Sequence, residues 1–189
     1  PSSRHYVSCS VIAGEGEAMQ RDDWYSIGRD AAQLASPEAI GDYAARRALA
    51  RLGARKVKTC KVPVLFGGPL AASLLGNFVH AASGGSLYRK SSFLLDALGK
   101  KVFSKQVNIR ELPHLPGALA SSPFDNDGVA TQERELVADG VLNGYFLGSY
   151  SARKLGLQSS GNAGGCHNLV VQPGEHDFAA LIKGMRRGL

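Results

Sequence analysis

The chain has 189 residues, 44% of them hydrophobic, enough to bury a core in one domain or in two small ones without a disulfide or metal staple. Its three cysteines, Cys9, Cys60 and Cys166, make no disulfide framework, and their odd count points to a reducing compartment. No run reaches about 18 apolar residues, which excludes a spanning helix, and Pro1-Ser2-Ser3-Arg4-His5 lacks the apolar stretch of a signal peptide. The formal charge of +6 is uneven: residues 1–120 hold 16 Lys/Arg against 9 Asp/Glu, while 121–189 hold 6 against 7. Most of the excess lies on Arg46, Arg47, Arg51, Arg55, Lys56, Lys58 and Lys61. Such a segment either attracts nucleic acid or an acidic partner, or is a solvated helix face running into a basic loop. No recognition helix, zinc finger or RNA-binding aromatic pattern accompanies it.

In chain order, residues 6–13 have strand composition, Gly14-Glu15-Gly16-Glu17 a polar turn, and residues 18–26 a returning strand, together an antiparallel pair. Ser36 followed by Pro37 is a helix start, a hydroxyl cap ahead of proline at the first helical position. Ile40, Tyr43, Ala44, Ala48 and Leu52 share one face of that helix, and Gly53 stops it. Residues 58–66 read as a strand ending in Gly67-Gly68-Pro69. A second helix follows over 69–82, apolar on Leu70, Leu74, Phe78 and Ala81 and also on Leu75 and Val79, so apolar that coverage on most sides is expected. Ser91 or Ser92 is set to cap a short helix over Phe93 to Leu98, stopped by Gly99. A strand over 102–109 and a Pro/Gly loop over 112–122 come next.

The second half carries the densest pattern. Glu133 to Ala138, Asp139-Gly140, and Val141 to Leu147 form a hairpin signal, because Asp-Gly between apolar runs suits a type I′ turn. Ser149 to Leu155 reads as a short helix ended by Gly156. Residues 168–172 read as a strand, and 177–185 as an amphipathic helix with Phe178, Leu181, Ile182 and Met185 on its apolar side. The fold class expected is α+β, predominantly antiparallel sheet with several packed helices, without internal repeat or low-complexity linker.

Candidate sites are few. Gly67-Gly68-Pro69 lacks the lysine and hydroxyl of a phosphate loop and is either a tight turn or a dock for a peptide carboxylate or carbonyl. Asp125-Asn126-Asp127-Gly128 evokes a calcium loop, but Pro123 and Arg134 stand where acids are needed, so Asx-turns in a rigid connection are expected. Cys166-His167 with His176 makes no metal set, and the serines at 121–122 and 159–160 lack a nucleophile elbow. Gly161, Asn162 and Gly164 suit a peptide-binding or interface loop, since glycine permits close approach of another backbone and an amide both donates and accepts. A plain turn explains them as well.

Taken in order, Pro63-Val64-Leu65-Phe66, Phe124-Asp125-Asn126-Asp127-Gly128-Val129-Ala130-Thr131, Asp139-Gly140-Val141-Leu142-Asn143-Gly144-Tyr145, Ser151-Ala152-Arg153-Lys154-Leu155-Gly156 and Gly161-Asn162-Ala163-Gly164 resemble the TldD/PmbA family, on its PmbA (TldE) side. The resemblance covers nearly the whole chain. It implies that residues 1–189 are a central and C-terminal region truncated at both ends, with exposed edge or apolar surface, starting beside Pro1, that favours self-association. In the TldD half of the family, the helix matching 69–82 carries two histidines and a glutamate that hold metal beside a general base. Here Gly76 and Ala81 stand at the ligand positions and Asn77 at the glutamate. His80 is one position off, turned roughly 100° away.

The resemblance therefore implies no catalytic residue, metal or cofactor in this chain, and zinc in a TldD-like partner subunit. The pair would be a cytoplasmic heterodimeric metallopeptidase acting on flexible peptides or small proteins, as in peptide-antibiotic maturation and antitoxin turnover. Phe124, Asp125, Asn126, Asp127, Asp139, Gly140, Tyr145, Gly161, Asn162 and Gly164 are the candidate interface or peptide-binding positions. A membrane is not an expected partner. The alternative reading is a DNA- or gyrase-associated adaptor without enzymatic activity, using the Arg46–Lys61 segment; nucleic acid is the less expected partner.

Overall fold

A computed structural model describes residues 3–189, so the expectation about the edge beside Pro1 falls outside the described residues. The chain forms two compact units, one of residues 1–60 with 117–119, the other of residues 61–116 with 120–189. In the first, strands β1 (His5–Ala13) and β2 (Gln20–Gly28) pair antiparallel, and helix α1 (Pro37–Ala50) packs on them. Ser36 caps α1 as expected, its hydroxyl accepting from the Ala39 amide at 3.2 Å. Ile40, Ala44 and Ala48 are buried at four-residue spacing, while Tyr43 and Leu52 stay substantially exposed. Tyr43 instead lies on Trp24, ring centres 4.4 Å apart. Arg47 and Arg51 both reach Asp22, at 3.0 and 3.5 Å, so two members of the basic segment already carry counter-charges.

The second unit holds helices α2 (Gly68–Ala81), α3 (Gly84–Tyr88), α4 (Ser149–Leu155) and α5 (Phe178–Met185). Its antiparallel sheet runs β5–β4–β3–β6, from Val141–Leu142, Arg134–Ala138, Ile109–Glu111 and Leu169–Val171. Phe78, Leu87, Leu94, Ile109, Leu136 and Leu142 form the centre of its core. Helix makes up 29% of the chain and strand 19%, which corrects the expectation of a predominantly sheet structure to a mixed one with two small antiparallel sheets.

Several expected elements change for identifiable reasons. Residues 58–66 are not a strand: their cross-chain backbone bonds run only from Leu65 N to Leu189 O, 2.7 Å, and from Leu189 N to Pro63 O, 3.1 Å. Of the expected strand over 102–109 only Ile109 joins β3. The preceding residues wrap the hairpin tip, the amides of Val102 and Phe103 both donating to Gly140 O at 2.9 and 3.1 Å. The helix over Phe93 to Leu98 is replaced by turns. Ser92 does accept from the Leu94 amide at 3.0 Å, but its hydroxyl also donates to Ala81 O at 2.6 Å, and Asp96 takes a positive φ of 56° that ends any helix.

The short helix α3, which periodicity does not reveal, occupies Gly84–Tyr88 instead, capped by Ser83. Nor is α2 covered on most sides: Leu70 and Leu74 are exposed, and only Phe78 and Ala81 are buried. The Asp139-Gly140 turn matches its signal, with φ of 48° and 78°. Gly156 ends α4 at φ 69°, and the Asp177 side chain caps α5.

Gly140 is doubly constrained, because the carbonyls of Phe103 and Ser104 occupy the place of a Cβ. Gly140→Ala is expected to lower stability by about 1–3 kcal/mol through forced left-handed backbone and that contact. Chemical denaturation of the variant beside the parent measures it.

Candidate functional site

The second unit is organised around a carboxylate that should not survive burial alone. Glu111, on β3, is 1% exposed. It accepts from Arg134 Nε at 2.7 Å, from Asn162 Nδ2 at 2.7 Å and from the His167 amide at 2.9 Å, with His167 Nδ1 at 3.2 Å. Burial pushes the carboxyl up, but the Arg134 charge and these hydrogen bonds outweigh it and hold Glu111 below its ordinary value. Arg134 reaches onward from β4, donating to Tyr145 O at 2.8 Å and Asn162 Oδ1 at 2.9 Å, with Phe146 beneath it. Ser160 completes the set, donating to Asn162 Oδ1 at 2.7 Å and accepting from the Leu147 amide at 2.8 Å.

A second carboxylate ties the two glycine-containing loops together. Asp125 Oδ1 accepts from the amides of Asp127 and Val129, each at 2.9 Å, which is the Asx-turn expected from the sequence. Its Oδ2 accepts from Ala163 N, also at 2.9 Å, and Asn126 N donates to Ala163 O at 3.0 Å. Burial raises the Asp125 carboxyl, and the three amides more than offset it, so it too is held low. Asp127 reaches the first amide of α4, Ser149 N, at 2.9 Å. Gly161 lies against Ala130 O, and Gly164 against the Asn126 side chain, where a Cβ would not fit.

Asp125, Asn126, Asp127, Gly161, Asn162 and Gly164 thus share one assembly, although Asp125 and Asn162 are each only 5% exposed. Phe124 stands out, 59% exposed. Asp139 and Gly140 belong to the hairpin tip. Tyr145 is a core residue, its hydroxyl donating to Leu94 O and accepting from Ala97 N at 2.9 Å. Sequence reasoning missed Glu111, Arg134, Ser160 and His167. The available signal was Glu111 itself, an acid two residues after Ile109 and therefore on the same face of a strand.

Beside this assembly the second unit opens a cleft of about 340 Å³. Gly84 and Gly85 of α3, Gly148 before α4, and Gly164 and Gly165 line it, with Tyr88, Phe146 and Tyr150 as aromatic walls and Cys166 among them. Burial, then the charge of Glu111, pushes the Cys166 thiol up, so it is a poor nucleophile near neutral pH.

The residues on α2 do not fit a metal ion. Gly76 has no side chain, Asn77 donates to Leu74 O at 3.3 Å, and Ala81 is buried. His80 lies 3.5 Å from the Ser86 hydroxyl, and among the described residues no group of three His, Cys, Asp or Glu is placed to hold a metal.

The sequence pattern of the PmbA/TldA metallopeptidase C-terminal domain matches residues 59–189. The chain belongs to the PmbA/TldD metallopeptidase family. The central-domain pattern of that family matches residues 1–52, so the two matches fall one on each compact unit. The metalloprotease PmbA of Escherichia coli O157:H7 is 48% identical over 188 residues, and the PmbA homolog of Haemophilus influenzae 47% over 189, each alignment covering 100% of this chain. The chain spans 42% of the length of both relatives. A Bacteroides thetaiotaomicron crystal structure, described as a candidate modulator of DNA gyrase, superposes with a TM-score of 0.89 at 33% identity, covering 96% of this chain and 41% of that one.

Two outcomes test the buried carboxylate. Glu111→Gln leaves Arg134 facing a neutral group and is expected to cost about 2–4 kcal/mol, a loss read by denaturation. Acid titration follows from the sign of the shifts. Glu111 and Asp125 bind protons less readily folded than unfolded, so their stabilisation is complete above the ordinary carboxylate range and is lost as pH falls through and below it. Unfolding midpoints measured against pH should fall on the acid side, and the fall should be shallower in Glu111→Gln.

Proposed function

We propose that this chain is the central and C-terminal part of the metal-free subunit of a TldD/TldE-type metallopeptidase. In this reading a TldD-like partner brings zinc, and this subunit helps enclose a flexible peptide or small protein for cleavage in the partner, within the cytoplasm. Peptide-antibiotic maturation and antitoxin turnover are the roles that fit a substrate without stable structure.

One observation carries the division of labour. In a family described as metallopeptidase, the helix α2 offers glycine, asparagine and a buried alanine where donors and a base would be needed. Two ionisable groups at or beside the cleft are unsuited to proton transfer. Glu111 is charged and buried among donors, and Cys166 is protonated. The loops joined by Asp125 and Asn162 are therefore surfaces for contact, not reaction.

The partner surface is expected on the apolar side chains left exposed on α2 and α5, among them Leu70, Leu74, Phe178 and Ile182. The same surface would drive self-association of residues 1–189, which light scattering over a concentration series would register as mass rising with concentration. The adaptor reading draws less support, because Arg47 and Arg51 are paired with Asp22 in the fold.

The decisive measurement uses the full-length protein, alone and mixed with the TldD-like subunit. Bound zinc and cleavage of an unstructured peptide are expected only with the partner present. Stoichiometric zinc and cleavage by this protein alone, abolished by His80→Ala, would reverse the assignment.

A further inference from the structure

We infer that the cleft beside α3 and α4 is a binding site for the main chain of an extended peptide, with one neutral apolar side chain of that peptide seated against its aromatic wall. The inference rests on the peptide-handling reading above and gives it a location. At about 340 Å³ the cleft is within the size range of small-ligand pockets, room for one side chain and its flanking backbone.

Three features select this occupant. First, the walls are Tyr88 and Tyr150, ring centres 5.7 Å apart and nearly perpendicular, with Phe146 and Val79 also lining the space. Arg89 lies over Tyr88 at 5.2 Å and Lys154 over Tyr150 at 5.6 Å, contacts that help hold the two rings in place. Rings of this kind give contact area to an apolar side chain at low entropic cost.

Second, Gly165 lines the cleft with nothing within 4 Å of where a Cβ would stand, which lets another backbone approach closely. Among the described residues the Gly164 amide has no hydrogen-bond acceptor, whereas those of Ala163, Gly165 and His167 around it are all satisfied. Backbone carbonyls of an extended peptide are the natural acceptors for such donors.

Third, the lining carries a single carboxylate and no basic side chain. Asp127 is that carboxylate, and its Oδ2 is already taken by Ser149 N. Arg89 and Lys154 are already set over the two rings, so an acidic side chain seated against the aromatic surface would lose hydration that an apolar one does not need. The hydroxyls of Ser83 and Ser151 donate to His80 O and Gly148 O, and burial disfavours the Cys166 thiolate, so the cleft presents no activated nucleophile. It binds and does not cut.

The test uses purified full-length protein without its partner and a fluorescein-labelled Gly-Ser-Phe-Gly-Ser-Leu peptide, with a control peptide in which Phe and Leu are replaced by Asp. Anisotropy reports binding, and mass spectrometry reports iodoacetamide alkylation of Cys166 against exposed Cys60, run at alkaline pH where the Cys166 thiol ionises. The apolar peptide should bind, the acidic one should not, and bound peptide should slow alkylation of Cys166 but not of Cys60. Gly85→Leu, whose Cβ would stand 3.3 Å from the flexible end of Arg89, should narrow the cleft and weaken binding about tenfold or more, the order seen when a pocket anchor is lost. Gly184→Leu on α5, which meets nothing, should bind as the parent does.

Equal binding by Gly85→Leu, or unchanged Cys166 alkylation with peptide saturating, would overturn the assignment of the cleft. Those outcomes are separate from the proposed division of labour, which fails only if this protein holds zinc and cleaves by itself.

Discussion

A carboxylate removed from water sets the terms for the second unit. Glu111 is almost fully buried, and an isolated charge there would cost several kcal/mol. The fold meets that cost by bringing donors from separated parts of the chain: Arg134 from the neighbouring strand, and Asn162 and His167 from the segment leading into β6. Each donor then has to be held. Arg134 is fixed by Tyr145 O, and Asn162 by Ser160 and by Gly165 O. Breaking any one member strands the others, which is why the network behaves as a clamp on the path of the backbone.

That clamp explains the glycines. A loop whose side chains point inward to Glu111 must turn its backbone sharply, and Gly161 and Gly164 take φ of 70° and 100° while passing close to Ala130 O and the Asn126 side chain. Asp125 performs the same service from the other loop, spending both oxygens on amides of two segments. The outcome is a rigid, Cβ-poor wall beside α3 and α4, made so by interior electrostatics. The cleft is thus a by-product of satisfying buried charge, and it is preorganised for the same reason.

The family relation and the chemistry of α2 pull in different directions, and the structure locates where. Membership in a metallopeptidase family rests on the whole length of the chain. On α2, Gly76 has no side chain, the Asn77 amide donates to Leu74 O and Ala81 is buried, so none of the three offers a metal donor. Scaffold and reaction are separable properties.

What the sequence determined by itself was local. Ser36 and Asp177 as caps, the Asp139-Gly140 turn, the glycine stop at Gly156 and the Asx-turn at Asp125 each depend on a few consecutive residues, and each is present. Tertiary structure decided the rest. Residues 58–66 have strand composition but too few partners to make a strand, and residues 102–108 are diverted to the amide and carbonyl of Gly140. Asn162 and Glu111 lie 51 positions apart, and no pattern in either segment announces the other. A buried hydrogen bond depends on where two backbones end up in space, and only the packed core brings those two together.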